Sequence, residues 1–339
     1  MEQPTIICIT AMKNEAWIIE RFLSCASVWA DHIILLDQNS EDNSVELAKR
    51  FEKVILKHNN SKEFNDFNHW NTLMEESRKI KAQRKVIFAI DCDEFISANS
   101  FNTLEWKNFV YNAKPGSLFV CQRVAISQDF DSYIKEPNFL IGFVDDGYSS
   151  INDLDTKKKV HNIRLPYPKN NPDLYKANKI KLLHYNLTDF KRLVSKMRWY
   201  QCFEMTIQDK NVFTIMNQYY SETDFAVFWG NRKSYPIIDA WIAGYEILGI
   251  DMTTVINSSN IYWWDYRILE YFNQFGTKLF AKLPIWYFNW EVFAKQNSAV
   301  ISIERSVFDK IYSKAFIHYK SSNSNILRTL LKIVLKITS

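Results

Sequence analysis

Val86-Ile87-Phe88-Ala89-Ile90-Asp91-Cys92-Asp93-Glu94-Phe95 is the stretch that decides the fold. Its first five residues are all apolar. A strand with one wet face would alternate with polar residues, so this one reads as buried on both faces. The run stops at Asp91, where two carboxylates flank a single residue. In extended backbone Asp91 and Asp93 point the same way, because side chains repeat with period two. Two converging carboxylates at a strand end suit a hard divalent cation, which fills the rest of its shell with water and substrate phosphates. A lone DxD tripeptide is common, and a solvated acidic turn is the plain alternative. The apolar strand before it and Glu94-Phe95 after it add weight to the metal reading.

Upstream the same grammar repeats. Thr5–Thr10, His32–Leu36 and Val54–Leu56 read as short apolar strands. Glu15–Ala26, Asp42–Phe51 and Asn68–Arg84 read as the helices between them, the first with Ile18, Ile19, Phe22 and Leu23 on one face. Apolar strands alternating with helices predict a mostly parallel sheet covered on both sides. Ligands of such sheets bind at the carboxyl ends of the strands. The polar clusters fall there: Lys13-Asn14-Glu15, Asp37-Gln38-Asn39-Ser40 and Asp91-Cys92-Asp93-Glu94.

Three of these segments carry a family resemblance: Ile9-Thr10-Ala11-Met12-Lys13-Asn14-Glu15, Ile33 through Asp37-Gln38-Asn39-Ser40 to Ser44, and Ala89 through Asp91-Cys92-Asp93 to Phe95. In order and spacing the chain resembles the GT-A glycosyltransferases of the family 2 type, well over the first 100 residues and more weakly to about residue 200. The resemblance implies an α/β fold, a GT-A (Rossmann-like) open, mostly parallel sheet flanked by helices, with a nucleotide-sugar donor and a divalent metal, Mn²⁺ or Mg²⁺. It implies that Asp37 contacts the nucleobase or ribose, with Asn14, Glu15 and Asn39 in the same pocket. Asp91 corresponds to a ribose or metal contact and Asp93 to the principal metal ligand. Gln38 and Asn39 depart from the family, where a second acid and a glycine often precede the serine. Asn39 and Ser40 serve equally well as caps of the next helix.

Farther on, the pattern loosens. Leu118–Val124 reads as a strand, and a polar loop runs from Asp145-Asp146-Gly147 to Lys157-Lys158-Lys159. His161-Asn162-Ile163-Arg164 and Ile180–His184 read as edge strands. His161 and Arg164 are candidate phosphate contacts, while the three lysines read as a solvated loop. His184 resembles the histidine that many GT-A enzymes supply as a third metal or phosphate contact. An inverting transferase needs a general base for the acceptor hydroxyl. Asp145 and Asp146 are the candidates, since Gly147 beside them permits a sharp turn. The residues leave the stereochemical course open, with inverting preferred to retaining.

The remaining features bound the reading. The 339 residues are 47% hydrophobic and 24% charged, a globular composition, and a net charge of +4 does not suggest nucleic acid as partner. Five cysteines without a CxxC pair argue against a disulfide framework and for a reducing cytoplasm. No signal peptide follows Met1-Glu2-Gln3-Pro4, and no run approaches the roughly 20 apolar residues of a membrane span. The aromatic-rich stretch after residue 220 reads as helical core. In Ile326–Thr338, Arg328, Lys332 and Lys336 form one helical stripe on an otherwise apolar segment. Such a helix suits an anionic membrane surface, or it docks on the body or a second subunit.

These features predict a GT-A catalytic domain over 1–220, a mainly helical extension over 221–320, and a linker with a basic amphipathic tail helix over 321–339. They predict a hexosyl-type glycosyltransferase of cell-envelope polysaccharide or glycolipid synthesis, peripheral on the inner face of the cytoplasmic membrane. Its partners would be a nucleotide-sugar donor, a saccharide or lipid-linked acceptor, and the membrane surface through 326–338. A nucleotidyltransferase is the second enzyme reading, although Thr10–Asn14 lacks the glycine-rich phosphate loop that class usually shows. A non-catalytic, membrane-associated carbohydrate-binding protein on the same fold is the third.

Overall fold

The computed structural model describes the chain apart from residues 1–2, 62–63, 152–162, 169–170, 208, 255–258, 260, 323 and 339. Strands form where the apolar runs stand: β1 (Thr5–Met12), β2 (His32–Asp37), β3 (Val54–His58), β4 (Lys85–Ala89), β5 (Glu94–Ile96), β6 (Leu118–Ile126), β7 (Ser132–Val144), β8 (Leu174–His184) and β9 (Ser234–Pro236). The α-helices are α1 (Ile19–Trp29), α2 (Ser44–Ala48), α3 (Asp66–Lys79), α4 (Leu104–Lys107), α5 (Phe190–Ile207), α6 (Val212–Tyr219), α7 (Phe225–Gly230), α8 (Ala243–Glu246), α9 (Trp263–Phe275), α10 (Trp290–Gln296), α11 (Val307–Ser321) and α12 (Asn325–Ile337).

The strand order is β3-β2-β1-β4-β7-β6-β8-β5, with β9 added beside β7. β3, β2, β1 and β4 run parallel. β7 enters antiparallel to β4 and β6, β6 pairs β8 in parallel, and β5 closes the order antiparallel to β8. This is the open, helix-flanked GT-A type of sheet implied by the resemblance, followed by a mainly helical region. Alternate residues of the central strands serve opposite faces. Cys8, Ile33, Leu35, Val86 and Phe88 pack under α1, and Ile7, Ile9, Ile34, Ile87 and Ala89 pack under α3. Both faces are dry, as a continuous apolar run requires.

The sheet curls. Four strand spacings separate β4 from β5, about 19 Å on a flat sheet. The five steps from Ala89 to Glu94 reach about 18 Å only when fully extended. They are not extended, since the Glu94 N–H bonds the Asp91 carbonyl at 3.0 Å in a tight turn. Curling therefore carries β5 and the end of β8 back to the acidic turn.

β7 was not evident in the sequence, because Pro137, Asn138 and Gly142 break its pattern. Pro137 has no N–H to give and sits where the β6–β7 register slips, between Gln122↔Asn138 and Val124↔Lys135. Gly142 is needed for packing: an added Cβ would lie 2.9 to 3.0 Å from the Phe119, Phe109 and Phe88 side chains. Ile163 and Arg164 lie in irregular chain and not in an edge strand.

Two compact units emerge, Met1–Asp189 with Arg232–Asn257, and Phe190–Asn231 with Ser258–Ser339. Each unit is discontinuous in sequence, whereas the expected parts 1–220, 221–320 and 321–339 are each continuous. The chain leaves the sheet unit at α5 and returns for a segment in which β9 pairs β7 and Trp241, Tyr245 and Met252 complete the core under α1. In the helical unit, α5 and α9 are joined by Arg198 and Asp265, a buried pair at 2.7 Å. Asp265 also accepts the Tyr262 N–H at the start of α9. Trp286 stacks on Phe272 and Trp290 is fully buried, so these rings are core. α12 rests on α11 through Leu335, whose carbonyl accepts the Tyr312 hydroxyl at 2.9 Å. Its Ile326, Leu330, Ile333, Val334 and Ile337 remain exposed. Among the described residues no helix is long and apolar enough to cross a membrane.

Candidate active site at the carboxyl edge of the sheet

The edge is built by three loops that bind one another. Asn14 and Asn39 adopt left-handed backbone, φ 54° and 59°, which asparagine tolerates better than most residues. The Asn14 N–H bonds Ser40 Oγ at 2.9 Å, and Asn14 Oδ1 accepts the Glu41 N–H at 2.7 Å. Lys13 donates to the Gln38 and Asn39 carbonyls, and the Glu15 N–H bonds Ser44 Oγ. Ser40 and Asn14 therefore brace one loop against the other. Ser40 does not cap α2, whose N-cap is Asn43. Glu15 accepts the Trp17 indole N–H at 2.6 Å.

Asp37 ends β2, between Met12 of β1 and His58 of β3. It is buried, with Oδ1 accepting the Ser40 N–H at 3.1 Å and Oδ2 lying 3.3 Å from His58 Nδ1. Beside it Gln38 Oε1 accepts from Asn59, while the buried Gln38 Nε2 has no hydrogen-bond partner among the described residues. That orphan donor at the corner expected to take a nucleoside is a cost unless an acceptor arrives.

The Asp91-Cys92-Asp93 segment lies in a four-residue turn, Asp91–Glu94, which corrects the picture of an extended strand end. The chain must reverse to enter β5, so the period-two alignment of the carboxylates is lost. Cys92 points inward, its Sγ 3.5 Å from both Thr10 Oγ1 and the Ala11 carbonyl, and burial pushes its thiol well up. Glu94 closes the turn by accepting the Asp91 N–H at 2.9 Å. The two aspartates then meet different partners. Asp91 Oδ2 pairs with Arg164 at 2.5 Å. Asp93 Oδ2 faces His184 Nε2 at 3.7 Å.

Those two contacts are the ends of one charged network. Arg164 also grips the fully buried Glu94, which binds Arg123 at 3.0 Å. Arg123 Nε lies 2.7 Å from Glu136 Oε2, an ion pair in contact without the alignment of a hydrogen bond. Glu136 Oε2 is 3.0 Å from His184 Nδ1. The series Asp91, Arg164, Glu94, Arg123, Glu136, His184, Asp93 thus begins and ends on the same turn. Burial alone would push the Glu94 carboxyl up. Arg164 and Arg123 outweigh it and hold the group well below the usual carboxylate range. Glu136 shows the same opposition: burial raises it, and His184 and Arg123 bring the net shift below its ordinary value.

The network also corrects the role read for Arg164. Its guanidinium lies between the Trp70 and Phe139 rings, at 5.2 and 4.8 Å from their centroids, with both ends on carboxylates. It is turned inward and not presented to a phosphate. His161, with the three lysines before it, lies outside the described residues.

The catalytic-base assignment is corrected by topology. The Asp145 N–H bonds the Lys85 carbonyl, at the start of β4, whereas Asp91 follows its end. Six residues of strand separate the two levels by about 20 Å. Asp145 is paired with Arg78 at 3.0 Å, and Asp146 accepts the Ser149 N–H and hydroxyl.

Of the metal set Asp91, Asp93 and His184, the fold joins Asp93 to His184 and commits Asp91 to Arg164. Among the described residues no group of three or more His, Cys, Asp or Glu is arranged to hold a metal. Asp93 offers a carboxylate oxygen, the ligand type that Mn²⁺ and Mg²⁺ favour, and His184 adds one imidazole nitrogen; such ions keep most of their shell for water and phosphate oxygens. Glu94, Arg123 and Glu136 were missed as site residues. Their signal was available: Gln122-Arg123 interrupts an otherwise apolar strand, and a charge there requires a buried partner.

No family model matches the chain, and no curated protein matches it by sequence. Solved structures do resemble it in part. One is glucosyl-3-phosphoglycerate synthase from Mycobacterium tuberculosis, in complex with Mn²⁺, UDP and glucosyl-3-phosphoglycerate, at 17% identity and TM-score 0.26. The match covers 36% of this chain and 44% of that one, less than half its length. S. aureus TarS 1-349 is 9% identical at TM-score 0.34, covering 63% and 70% of the two chains. A 4-diphosphocytidyl-2C-methyl-D-erythritol synthase is 10% identical at TM-score 0.28, covering 73% and 99%. At these scores none of them assigns an activity to this chain.

Proposed function

We propose that this chain is a glycosyltransferase that moves a hexosyl group from a nucleotide sugar to an acceptor hydroxyl, with Mn²⁺ or Mg²⁺ held at Asp93 and His184. The observation that carries the reading is the meeting of those two side chains, from separate elements, at the carboxyl edge beside the Asn14 and Asp37 loops. When bound, the cation would neutralise charge on the departing diphosphate. Asp93 and His184 hold the site. Arg164 and Glu94 fix the turn beneath it. Asp37, Gln38, Asn14, Glu15 and Asn39 form the corner for the nucleoside, where Gln38 Nε2 has a hydrogen bond to give. Asp145 and Asp146, about 20 Å down the sheet, are out of reach of an acceptor hydroxyl at this edge.

The exposed apolar stripe of α12, flanked by Arg328, Lys332 and Lys336, supports a membrane-surface contact and a saccharide or lipid-linked acceptor. The enzyme then works on the cytoplasmic face in cell-envelope polysaccharide or glycolipid synthesis, by an inverting course. A thermal-shift panel of nucleotide sugars with and without Mn²⁺ tests the reading. A true donor raises the melting temperature by mass action, and only with metal. A panel in which no nucleotide sugar shifts the melt sinks it. Stabilisation by a nucleoside triphosphate alone would point to nucleotidyl transfer instead.

A further inference from the structure

We propose that Glu136 is a positioning residue for the cation site: its carboxylate holds the His184 ring so that Nε2 faces Asp93 with its lone pair. The inference rests on the metal-dependent reading above. A neutral imidazole has one N–H and one lone pair, and the hydrogen bond made by one nitrogen decides which the other keeps. Glu136 Oε2 stands 3.0 Å from Nδ1, so Nδ1 carries the hydrogen. Nε2 is left 3.7 Å from Asp93 Oδ2. That gap is too long for a hydrogen bond, and it sets two acceptors against each other. It admits a divalent ion at about 2.1 Å from each atom.

Glu136 is itself fixed. Arg123 Nε contacts it at 2.7 Å, and Arg123 is tied to Glu94, which closes the Asp91–Glu94 turn. The register slip opposite Pro137 is the local device that brings Glu136 beside Arg123 and the end of β8. One chain of contacts therefore orients the imidazole and the aspartate together. Carboxylates in this outer position typically govern metal affinity by 10- to 100-fold. The competing arrangement is an imidazolium between two carboxylates, which would neutralise them with no metal at all.

The test uses the full chain. Long-range proton–nitrogen correlation at pH 8 without metal reads the His184 tautomer directly, the signal being assigned by its loss in His184→Gln. An Nδ1–H, Nε2-bare ring is expected. An Nε2–H tautomer or a doubly protonated ring overturns the proposal, and this arm needs no Glu136 variant to fold. Mn²⁺ titration by calorimetry then compares wild type, Glu136→Gln and Glu136→Ala, each checked by thermal melting. Glu136→Gln keeps an acceptor and should stay within a few-fold of wild type, while Glu136→Ala should weaken Mn²⁺ by about 10- to 100-fold. Mn²⁺ binding that Glu136→Ala leaves unchanged overturns the proposal alone. Failure of wild type to bind Mn²⁺ sinks the cation reading and the proposal with it.

Discussion

Asp91-Cys92-Asp93 and Asp145-Asp146 are both acidic pairs at the ends of strands that pair with each other, and both touch an arginine. Their surroundings separate them. Asp145 lies against Arg78 and Lys85, and Asp146 is taken up by the Tyr148 and Ser149 N–H groups and the Ser149 hydroxyl. Burial opposes, but those hydrogen bonds leave the Asp146 carboxyl below its ordinary value. Asp145 Oδ1 and both Asp146 oxygens accept hydrogen bonds there. At the other edge, Asp93 meets a histidine across a gap that no hydrogen bond fills. A carboxylate's chemistry is decided by what already satisfies it, and among the described residues Asp93 faces His184 whereas Asp146 is held by its own loop.

The comparison breaks most visibly at Glu94, which is fully buried between two arginines under the acidic turn. Glu94→Gln should cost about 3–5 kcal/mol, the usual penalty for stripping one partner from a buried charge cluster. The effect carries a pH signature. The folded-state value of Glu94 lies below that of the unfolded chain, about 4.3, so its contribution is complete above that pH and is lost as pH falls through the folded value. Urea midpoints at pH 7, 5 and 3 should show wild type losing stability below about pH 4.3, with Glu94→Gln losing less over the same window. A variant as stable as wild type at pH 7 would show that the network is not what holds the turn.

Asp93 and Asp145 should then dissociate. Asp93→Ala removes a group with little packing and should lower Mn²⁺-dependent turnover on the order of 100-fold or more, with the melting temperature nearly unchanged. Asp145→Asn should do the reverse, destabilising by about 2 kcal/mol through the weakened Arg78 pair while donor binding stays intact. Paired melts and donor titrations on both variants decide the matter. Loss of donor binding in Asp145→Asn would restore that edge as a candidate site.

Much of this contrast was legible in the residues, and some of it was not. The continuous apolar run Val86–Ile90 can only be a strand dry on both faces, so the parallel core and the place of the acidic turn followed from local pattern. The ends of those strands carried Asp37, Asp91 and Asp93 with them. What local pattern cannot carry is curl and register. β7 is written with a proline and a glycine that ordinarily break strands, and its antiparallel course sends Asp145 to the far edge although the residue follows a strand end like the others. The charge of Arg164 is visible in the sequence and suggests a phosphate contact, whereas Trp70, Phe139 and Glu94, which turn it inward, come from three other segments.

The smallest predicted effects sharpen the contrast by matching two loop braces. Asn14 Oδ1 accepts the Glu41 N–H at the site edge, and Asp146 accepts from Ser149 at the other. Asn14→Gly preserves the left-handed backbone and removes the side-chain bonds to the Glu41 and Asp42 N–H groups, and Ser149→Ala removes the 2.6 Å hydroxyl bond. Each should cost about 1 kcal/mol of stability. If the carboxyl edge is where the nucleoside sits, Asn14→Gly should also weaken donor binding several-fold, because the loop it frees lines that corner. Ser149→Ala, at equal thermodynamic cost, should leave donor binding untouched. Donor titrations on two equally destabilised variants therefore separate a binding edge from a structural one, and equal donor losses in both would mean that general loosening, not the site, governs the affinity.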